Sequence, residues 1–331
     1  MHCALKRGHK LSKQNPNEKF KAKTGGQAVI EGVMMRGVEK EAMACRLPNG
    51  EIDLEVWDLK YSAKNLPFYR KVPFLRGIFN FLDSLIDGYK CLSKSADKQM
   101  TEDDEEELTK FEQWLNDKLG DKLMPVVSVI SMIIGLGLAL VLFMLLPAFI
   151  SKMIDKYVIS LSAFAKNCIE GVLKISIFLA YTKLTSLMSD IATTYRYHGA
   201  EHKTIACYES GEELNVENVR KQIRFHPRCG TSFIFLVLFI SIFVFTVVGV
   251  PWDNILVRMG FKLLLLPVIV GIAYELIRLA GRYDNVATRI ISAPGLWVQR
   301  ITTSEPDDGQ IECAIAALKA VIPEDSEEDR W

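Results

Sequence analysis

A long run of uncharged residues constrains this chain more than any other feature. Between Pro125 and Ser151 the sequence has no Asp, Glu, Lys or Arg, and most positions are Val, Ile, Leu, Met or Phe. About 20 apolar residues are enough for a helix to cross the hydrocarbon core of a bilayer. Because only a helix satisfies its own backbone hydrogen bonds in lipid, the run predicts a transmembrane helix at about 125–147.

Three further apolar segments predict three more spans, at about 165–187, 231–250 and 261–281. The first of these is interrupted by four charged residues: Lys166, Glu170, Lys174 and Lys183. A charge inside a membrane is costly and usually faces protein or water, so these residues do not exclude a span. The sequence therefore predicts a mainly α-helical, polytopic membrane protein with about four transmembrane helices in a lipid bilayer.

The distribution of charge predicts the orientation of the spans. The chain has 40 Lys+Arg and 40 Asp+Glu, and a net charge of zero excludes a broadly basic nucleic-acid-binding protein. The connection between the second and third spans is rich in basic residues: Arg196, Lys203, Arg220, Lys221, Arg224 and Arg228. By the positive-inside rule, this loop and both termini face the cytoplasm. Seven cysteines, an odd number without a tight framework, fit a reducing compartment.

A small β-containing cytoplasmic module is expected before the first span. After a flexible basic tail at 1–24, apolar and polar residues alternate over EIDLEVW, directly behind the turn Pro48-Asn49-Gly50. This pattern predicts a β-hairpin. Apolar residues then recur at helical spacing from Phe74 to Tyr89, which predicts an amphipathic helix within a module of residues 25–95. The helix lies either on the membrane surface or in the core of the module.

The remaining boundaries follow from composition. Residues 96–122 are expected to form an acidic linker, and residues 123–282 the membrane domain, whose cytoplasmic loop 190–230 carries the metal motif described next. Residues 283–321 are expected to form C-terminal cytoplasmic helices, and residues 322–331 an acidic tail.

The pentad His198-Gly-Ala-Glu201-His202 predicts a metal site. Residues four apart share a face of a helix, so both imidazoles can bind one ion while Glu201 takes a proton from bound water. The order matches the H-x-x-E-H pattern of inverted zinc peptidases. Gly199 weakens the helix by about 1 kcal/mol relative to Ala, which counts against this face-sharing geometry.

A second group, His226 and Cys229 in HPRCG, leaves two kinds of site open. If both join the two motif histidines, zinc has four protein ligands and the site is closed and structural. If the motif histidines bind with one carboxylate, a position stays open for chemistry. A hydrogen-bonded histidine cluster without metal is the third alternative.

Glu275 is the carboxylate expected at such an open site. It lies near the cytoplasmic end of the fourth span, where an unpaired charge would be costly. The alternative is a salt bridge with Arg278 or Arg282. Zinc is the expected ion, although imidazole, carboxylate and thiolate ligands also accept other divalent metals.

Three stretches resemble the YqhQ-like family of uncharacterised bacterial integral membrane proteins, which are described as metal-dependent enzymes: GGQAVIEGVMMRG, YRYHGAEHKTIACYE with HPRCGTSF, and APGLWVQRITT. The likeness runs from about residue 24 to 320, apart from the acidic linker. The resemblance implies a multi-pass protein of the bacterial inner membrane. It places five residues in motif positions: His198, Glu201, His202, His226 and Cys229. It also implies that the glycine-rich stretch contributes to the same site.

Two functions follow from these patterns. The first is metal-assisted hydrolysis of a peptide or lipid-linked substrate, with His198 and His202 as ligands, Glu275 or His226 as the third ligand, and Glu201 as general base. The second is a non-catalytic membrane-protein biogenesis or scaffold factor, in which a structural His/Cys cluster supports a surface for a membrane protein complex. A transporter is disfavoured because the four spans contain no internal repeat. The patterns do not specify the oligomeric state.

Overall fold

The computed structural model describes residues 20–62, 65–99, 123–283 and 285–331. The predicted tail up to residue 19, and the predicted linker from residue 100 to 122, lie outside these ranges.

The N-terminal module contains a four-stranded antiparallel sheet in the order β1 (Gly25–Val29), β2 (Gly32–Arg36), β3 (Lys40–Arg46) and β4 (Ile52–Asp58). Strands β3 and β4 pair from Arg46 opposite Ile52, and Gly50 between them has φ +88°. The predicted hairpin is therefore confirmed. The glycine-rich stretch forms a second hairpin, in which Val29 pairs with Gly32 across a two-residue turn.

The helices divide into a group around the sheet and a group of long apolar helices. The chain forms α1 (Leu75–Asp97), α2 (Leu123–Leu140), α3 (Leu146–Tyr157), α4 (Ala163–Thr185), α5 (Ser189–Ser210), α6 (Val216–Lys221), α7 (Gly230–Val248), α8 (Ile255–Arg282), α9 (Val286–Thr302) and α10 (Asp308–Val321). A π-helical turn, Val141–Leu145, joins α2 to α3, and short 3₁₀ turns occupy Phe68–Arg70 and Ser326–Asp329.

Helices cover both faces of the sheet because side chains alternate along each strand. On one face, Val29, Met34, Met43 and Cys45 pack with Cys91 of α1. On the other face, apolar residues of β2 and β3 join a core with α5, α6 and α10. Helix α5, which carries the pentad His198–His202, is thereby fixed against β1 and β2.

Three helices of the described residues are long and apolar enough to cross a membrane: Val129–Tyr157, Gly230–Val248 and Ile255–Arg282. Many of their large apolar side chains are exposed, as expected where lipid rather than protein surrounds a helix. These helices match the predicted first, third and fourth spans.

The predicted second span forms a helix, α4, but its charges keep it outside that set. Glu170 and Lys174 are buried, and their side chains lie 2.8 Å apart. Arg258 of α8 binds Glu170 at 2.7 Å, and Lys262 of α8 contacts the same carboxylate. The charges that weaken the hydropathy of α4 therefore join it to α8.

Both segments expected to be tails differ from that expectation where they are described. Ala22 pairs with Arg330 in an antiparallel bridge, and the backbone N–H of Lys23 donates to Asp329. The Asp329 side chain is buried and accepts hydrogen bonds from the N–H and hydroxyl of Thr24. These bonds order residues 20–24 and 329–331 against each other, a long-range pairing that composition does not reveal.

Candidate metal centre

Helix α5 carries the pentad without interruption, in spite of Gly199. A Cβ atom added at Gly199 would overlap the backbone carbonyl oxygen of Ser304. Glycine is therefore required because the segment after α9 crosses α5 at this point. That crossing brings the end of α9 beside His198.

The two motif histidines lie on one face of α5, and their ring centroids are 4.4 Å apart. Nδ1 of His198 lies 2.8 Å from the carbonyl oxygen of Thr302, and Nδ1 of His202 lies 2.6 Å from that of Arg224. A carbonyl oxygen can only accept, so each Nδ1 carries the proton that is donated. Each Nε2 is then left as a lone-pair donor, the usual arrangement behind metal-binding histidines.

Cys229 is the third member of the cluster. Its Sγ lies 3.1 Å from Nε2 of His198, and the candidate ligand atoms of His198, His202 and Cys229 all lie within 4.8 Å of one another. Cys229 precedes α7 as its N-cap, and its thiol accepts a hydrogen bond from the backbone N–H of Thr231.

Cys229 and His198 stabilise each other in charged form. Burial opposes ionisation of the Cys229 thiol, but His198 and His202 hold its pKa well below the ordinary value. Burial likewise opposes protonation of His198, but Cys229 raises the pKa of His198 to about 9.

Glu201 is buried beside the cluster, with 4% of its surface exposed. The backbone N–H of Gly26 donates to its carboxylate, but among the described residues Oε2 has no hydrogen-bond partner. Burial raises the pKa of Glu201, against the opposing effect of His202 and His198. A Cβ at Gly26 would lie 3.1 Å from Cγ of Glu201 and 2.5 Å from the carbonyl oxygen of Met34, so the glycine permits this approach.

A cavity of about 170 Å³ lies against the cluster. Its walls include Gly25, Gly26, Glu201, His226, Cys229 and Trp331. The volume is sufficient for several water molecules beside the polar groups. The glycine-rich stretch therefore reaches this cavity, as the resemblance implied.

His226 lines the cavity but lies outside the three-residue cluster. The Arg228 guanidinium, which can only donate, lies 3.1 Å from Nε2 of His226. Burial, together with the charge of Arg228, lowers the pKa of His226 well below its ordinary value. The ring is consequently neutral, with its Nε2 lone pair already used.

Gln299 positions His226, and the sequence reasoning missed it. The side chain of Gln299 is fully buried in α9. Its Oε1 accepts from the backbone N–H of His226 at 2.8 Å, and its Nε2 donates to the carbonyl oxygen of His226 at 2.7 Å and to Ser232 Oγ at 3.0 Å. A polar residue inside the apolar motif APGLWVQRITT was the available signal.

Glu275, also predicted as a ligand, is not among the three residues His198, His202 and Cys229 whose candidate ligand atoms converge. Arg76 binds its carboxylate through two nitrogen atoms, with Nε at 2.7 Å from Oε1, and the backbone N–H of Phe74 donates to Oε1 at 3.2 Å. The alternative prediction for Glu275, a salt bridge, therefore fits the structure better. The bridging cation is Arg76 of α1, however, and not Arg278 or Arg282. Cys229, rather than Glu275, is the third residue of that group.

Comparison with known proteins identifies relatives whose function is not established. Residues 72–324 match the family described as "Protein of unknown function (DUF1385)". The chain is 34% identical over 300 residues to "Uncharacterized protein YqhQ" of Bacillus subtilis (strain 168), which covers 90% of this chain and 92% of that relative. No solved structure matches the chain. The resemblance read from the three motifs is thus confirmed, and the chain belongs to the DUF1385 family of YqhQ-like proteins.

Proposed function

We propose that this protein is an integral membrane hydrolase. In this proposal its cytoplasmic face carries a site for a divalent metal, and zinc is the expected ion. One observation carries the proposal. Two imidazole Nε2 atoms and one cysteine sulfur converge next to a buried carboxylate, one oxygen of which has no partner among the described residues, at the wall of a cavity.

The donor set fits zinc. Bonds of about 2.0–2.1 Å to nitrogen and about 2.3 Å to sulfur in a tetrahedral site separate the ligand atoms of two histidines and one cysteine by about 3.3–3.6 Å. The three candidate atoms already lie within 4.8 Å of one another, and both histidines have the required tautomer. Because Arg228 donates to Nε2 of His226, the set has three protein ligands, the number typical of catalytic zinc sites.

The residues around this position have separate roles in hydrolysis. Zinc bound there would act as a Lewis acid and lower the pKa of a water molecule. Glu201 takes a proton from water in the cavity, and its raised pKa makes it a stronger base than an exposed glutamate. Gly26 holds that carboxylate through its N–H. Neutral His226 keeps its proton on Nδ1, where it can donate to a carbonyl oxygen of the substrate.

In this proposal, α4 crosses the membrane as a fourth span. A helix of 23 residues is about 35 Å long, enough for a hydrocarbon core of about 30 Å. Glu170 near its start contacts Arg258 near the start of α8, whereas its end leads directly into α5 at the metal cluster. Four spans put residues 20–99 and the cluster on one side, and the basic residues around the cluster favour the cytoplasm.

Metal analysis of the purified protein tests the ligand set. We expect about one metal ion per wild-type chain, and loss of that ion in His198→Ala, His202→Ala and Cys229→Ser. Glu275→Gln is the matched control, because this carboxylate binds Arg76, and it should retain the metal. A wild-type protein without metal, or a Cys229→Ser variant that retains it, would refute the site.

Hydrolysis of p-nitrophenyl acetate and of a mixed peptide library tests the chemistry. We expect Glu201→Gln to keep the metal and to lose about 10²-fold or more of the rate, as expected for a general base. Glu212→Gln, at an exposed carboxylate just after α5, should retain full activity. Equal rates for Glu201→Gln and wild type would reject the hydrolase.

A non-catalytic scaffold or biogenesis factor is the second candidate, favoured by one observation. The cluster joins α5, the N-cap of α7 and the carbonyl groups of Thr302 and Arg224, as a structural staple would. In that case His198→Ala lowers the melting temperature, whereas Glu201→Gln leaves function in the cell unchanged.

A further inference from the structure

The turn that leads into α1 exposes a set of apolar side chains. Phe68 is 81% exposed and Phe74 is 53% exposed, and Tyr69 and Leu75 beside them are also exposed. The ring of Tyr69 packs at a tilt of 58° against the ring of Phe79 in α1, with the centroids 4.8 Å apart, which makes the turn continuous with the helix. We name residues 68–75 the aromatic turn.

The aromatic turn is attached to the candidate span α8. A Cβ atom at Gly77 would lie 2.6 Å from Cβ of Tyr274, so α1 and α8 touch at a glycine. Asn80 donates to the hydroxyl of Tyr274 at 2.6 Å, and the carbonyl oxygen of Phe74 lies 3.1 Å from the Cβ position of Gly271. The position of Phe74 along α8 is therefore fixed.

That position lies beside the uncharged part of α8. Residues 263–274 contain no charged side chain, and Glu275 follows them. Gly271, which Phe74 contacts, is about one helical turn further into the uncharged part than Glu275. Leu266 and Val268 on the same stretch expose their side chains, so the aromatic turn adjoins a surface of the kind that faces lipid.

The backbone holds Phe74 in this exposed position at a cost in free energy. Phe74 has φ +66°, a left-handed conformation that is unfavourable for a residue with a side chain. Glu275 maintains it, because its carboxylate accepts the N–H of Phe74 and also binds Arg76. Strained backbone retained by specific contacts is a feature of functional positions.

We propose that the aromatic turn inserts into the cytoplasmic leaflet of the bilayer, with Phe68 and Phe74 among the acyl chains and the Arg76–Glu275 pair at the headgroup level. The inference rests on the membrane location in the proposed function. Charges near the turn fit an interface: Arg70 is paired with Asp83, and Lys71 is exposed, where it can reach lipid phosphates. The N-terminal module is thereby fixed to the membrane by α1 as well as by the spans.

Photocrosslinking in lipid vesicles tests the insertion, with p-benzoylphenylalanine placed at single positions of the full-length protein. Phe68 and Phe74 are the test positions. Ile134 on α2, 65% exposed, is the positive control for lipid, and Val56 on β4, 46% exposed, is the matched exposed apolar residue away from α8. We expect lipid adducts at Phe68, Phe74 and Ile134 that are at least about tenfold more abundant than at Val56.

Each of the other outcomes would overturn either the insertion of the aromatic turn or the membrane location on which it rests. Lipid adducts at Ile134 without adducts at Phe68 and Phe74 would reject the insertion but keep the membrane location. Absence of lipid adducts at Ile134 would reject the membrane location and the insertion with it. Protein adducts at Phe68 and Phe74, from a second copy or another partner, would assign the surface to a protein. If substitution of Phe74 disturbs its strained turn, Phe68 alone decides.

Discussion

Gly199 controls how closely two parts of the candidate site approach each other. We expect Gly199→Ala to destabilise the protein by about 1–3 kcal/mol, because the new methyl group must push the Ser304 carbonyl away from α5. The carbonyl of Thr302 would move as well, so His198 would lose its fixed tautomer. The melting temperature in detergent and the metal content measure both effects.

Gly260→Ala is the control for this prediction. Gly260 also lies inside a helix, α8, but a Cβ atom there has nothing within 4 Å among the described residues. The substitution should be neutral or stabilising by up to about 1 kcal/mol, since alanine favours a helix over glycine. If Gly199→Ala is equally harmless, the crossing at Ser304 is not rigid.

Individual residues also show where sequence reasoning stops. The pentad on one face of a helix was predictable, because helical spacing alone brings residues four apart together. The role of Glu275 was not, because its nearest cation, Arg76, is 199 positions away in the chain. Gly199 was recognised as unfavourable for a helix, but its benefit depends on Ser304, which no local pattern indicates.

At the scale of elements, salt bridges fix the end of α1 to β4. Lys94 and Lys98 bind Glu55, and their hydrogen bonds lower the pKa of Glu55. A carboxylate with a lowered pKa in the native state contributes stability above its ordinary pKa, and loses this contribution as the pH falls through the native value.

We therefore expect wild type to lose more stability than Glu55→Gln when the pH is lowered from about 6 to about 3. The difference in melting temperature between the two proteins should be greatest near neutral pH and should shrink in acid. Glu51→Gln, at an exposed carboxylate in the β3–β4 turn, is the control. A constant difference at every pH would contradict the link between these ion pairs and stability.

The side chain of Gln299 connects α9 to the loop that carries His226. We expect Gln299→Leu to cost about 2 kcal/mol or more, because it leaves the buried N–H and C=O of His226 without partners. Thermal unfolding checks the loss. Gln222→Leu removes one 3.3 Å bond to the exposed Glu212 and should change little, and a similar effect of both variants would argue against the positioning role.

Elements were predictable where their signal is local. The Asn49-Gly50 turn, the amphipathic α1 and the long apolar helices α7 and α8 follow from turn chemistry and hydrophobic spacing. The β1–β2 turn was not evident, because Glu31 adopts φ +47° without the usual glycine or asparagine. The bridge between Ala22 and Arg330 is set by tertiary packing, so composition assigned both segments to tails.

At the scale of the whole molecule, the prediction concerns the proposed crossing of the membrane by α4. Cysteines placed at two exposed positions decide it: Val158→Cys, between α3 and α4, and Ile223→Cys, after α6. If α4 crosses, a membrane-impermeant maleimide labels Val158→Cys from outside intact cells, and labels Ile223→Cys after the membrane is permeabilised. Labelling of both from the same side would show three spans.

The bridge between residues 22 and 330 has a consequence for the order in which the protein matures. The hydrogen bonds from Thr24 to Asp329 span 305 positions, so at about 5–20 residues per second a ribosome reaches Asp329 roughly 15–60 s after Thr24. Trp331, which lines the cavity beside Glu201, is made later still. A nascent chain whose proposed spans have already entered the bilayer thus lacks one wall of its cavity, and the cavity is completed only when synthesis reaches these residues.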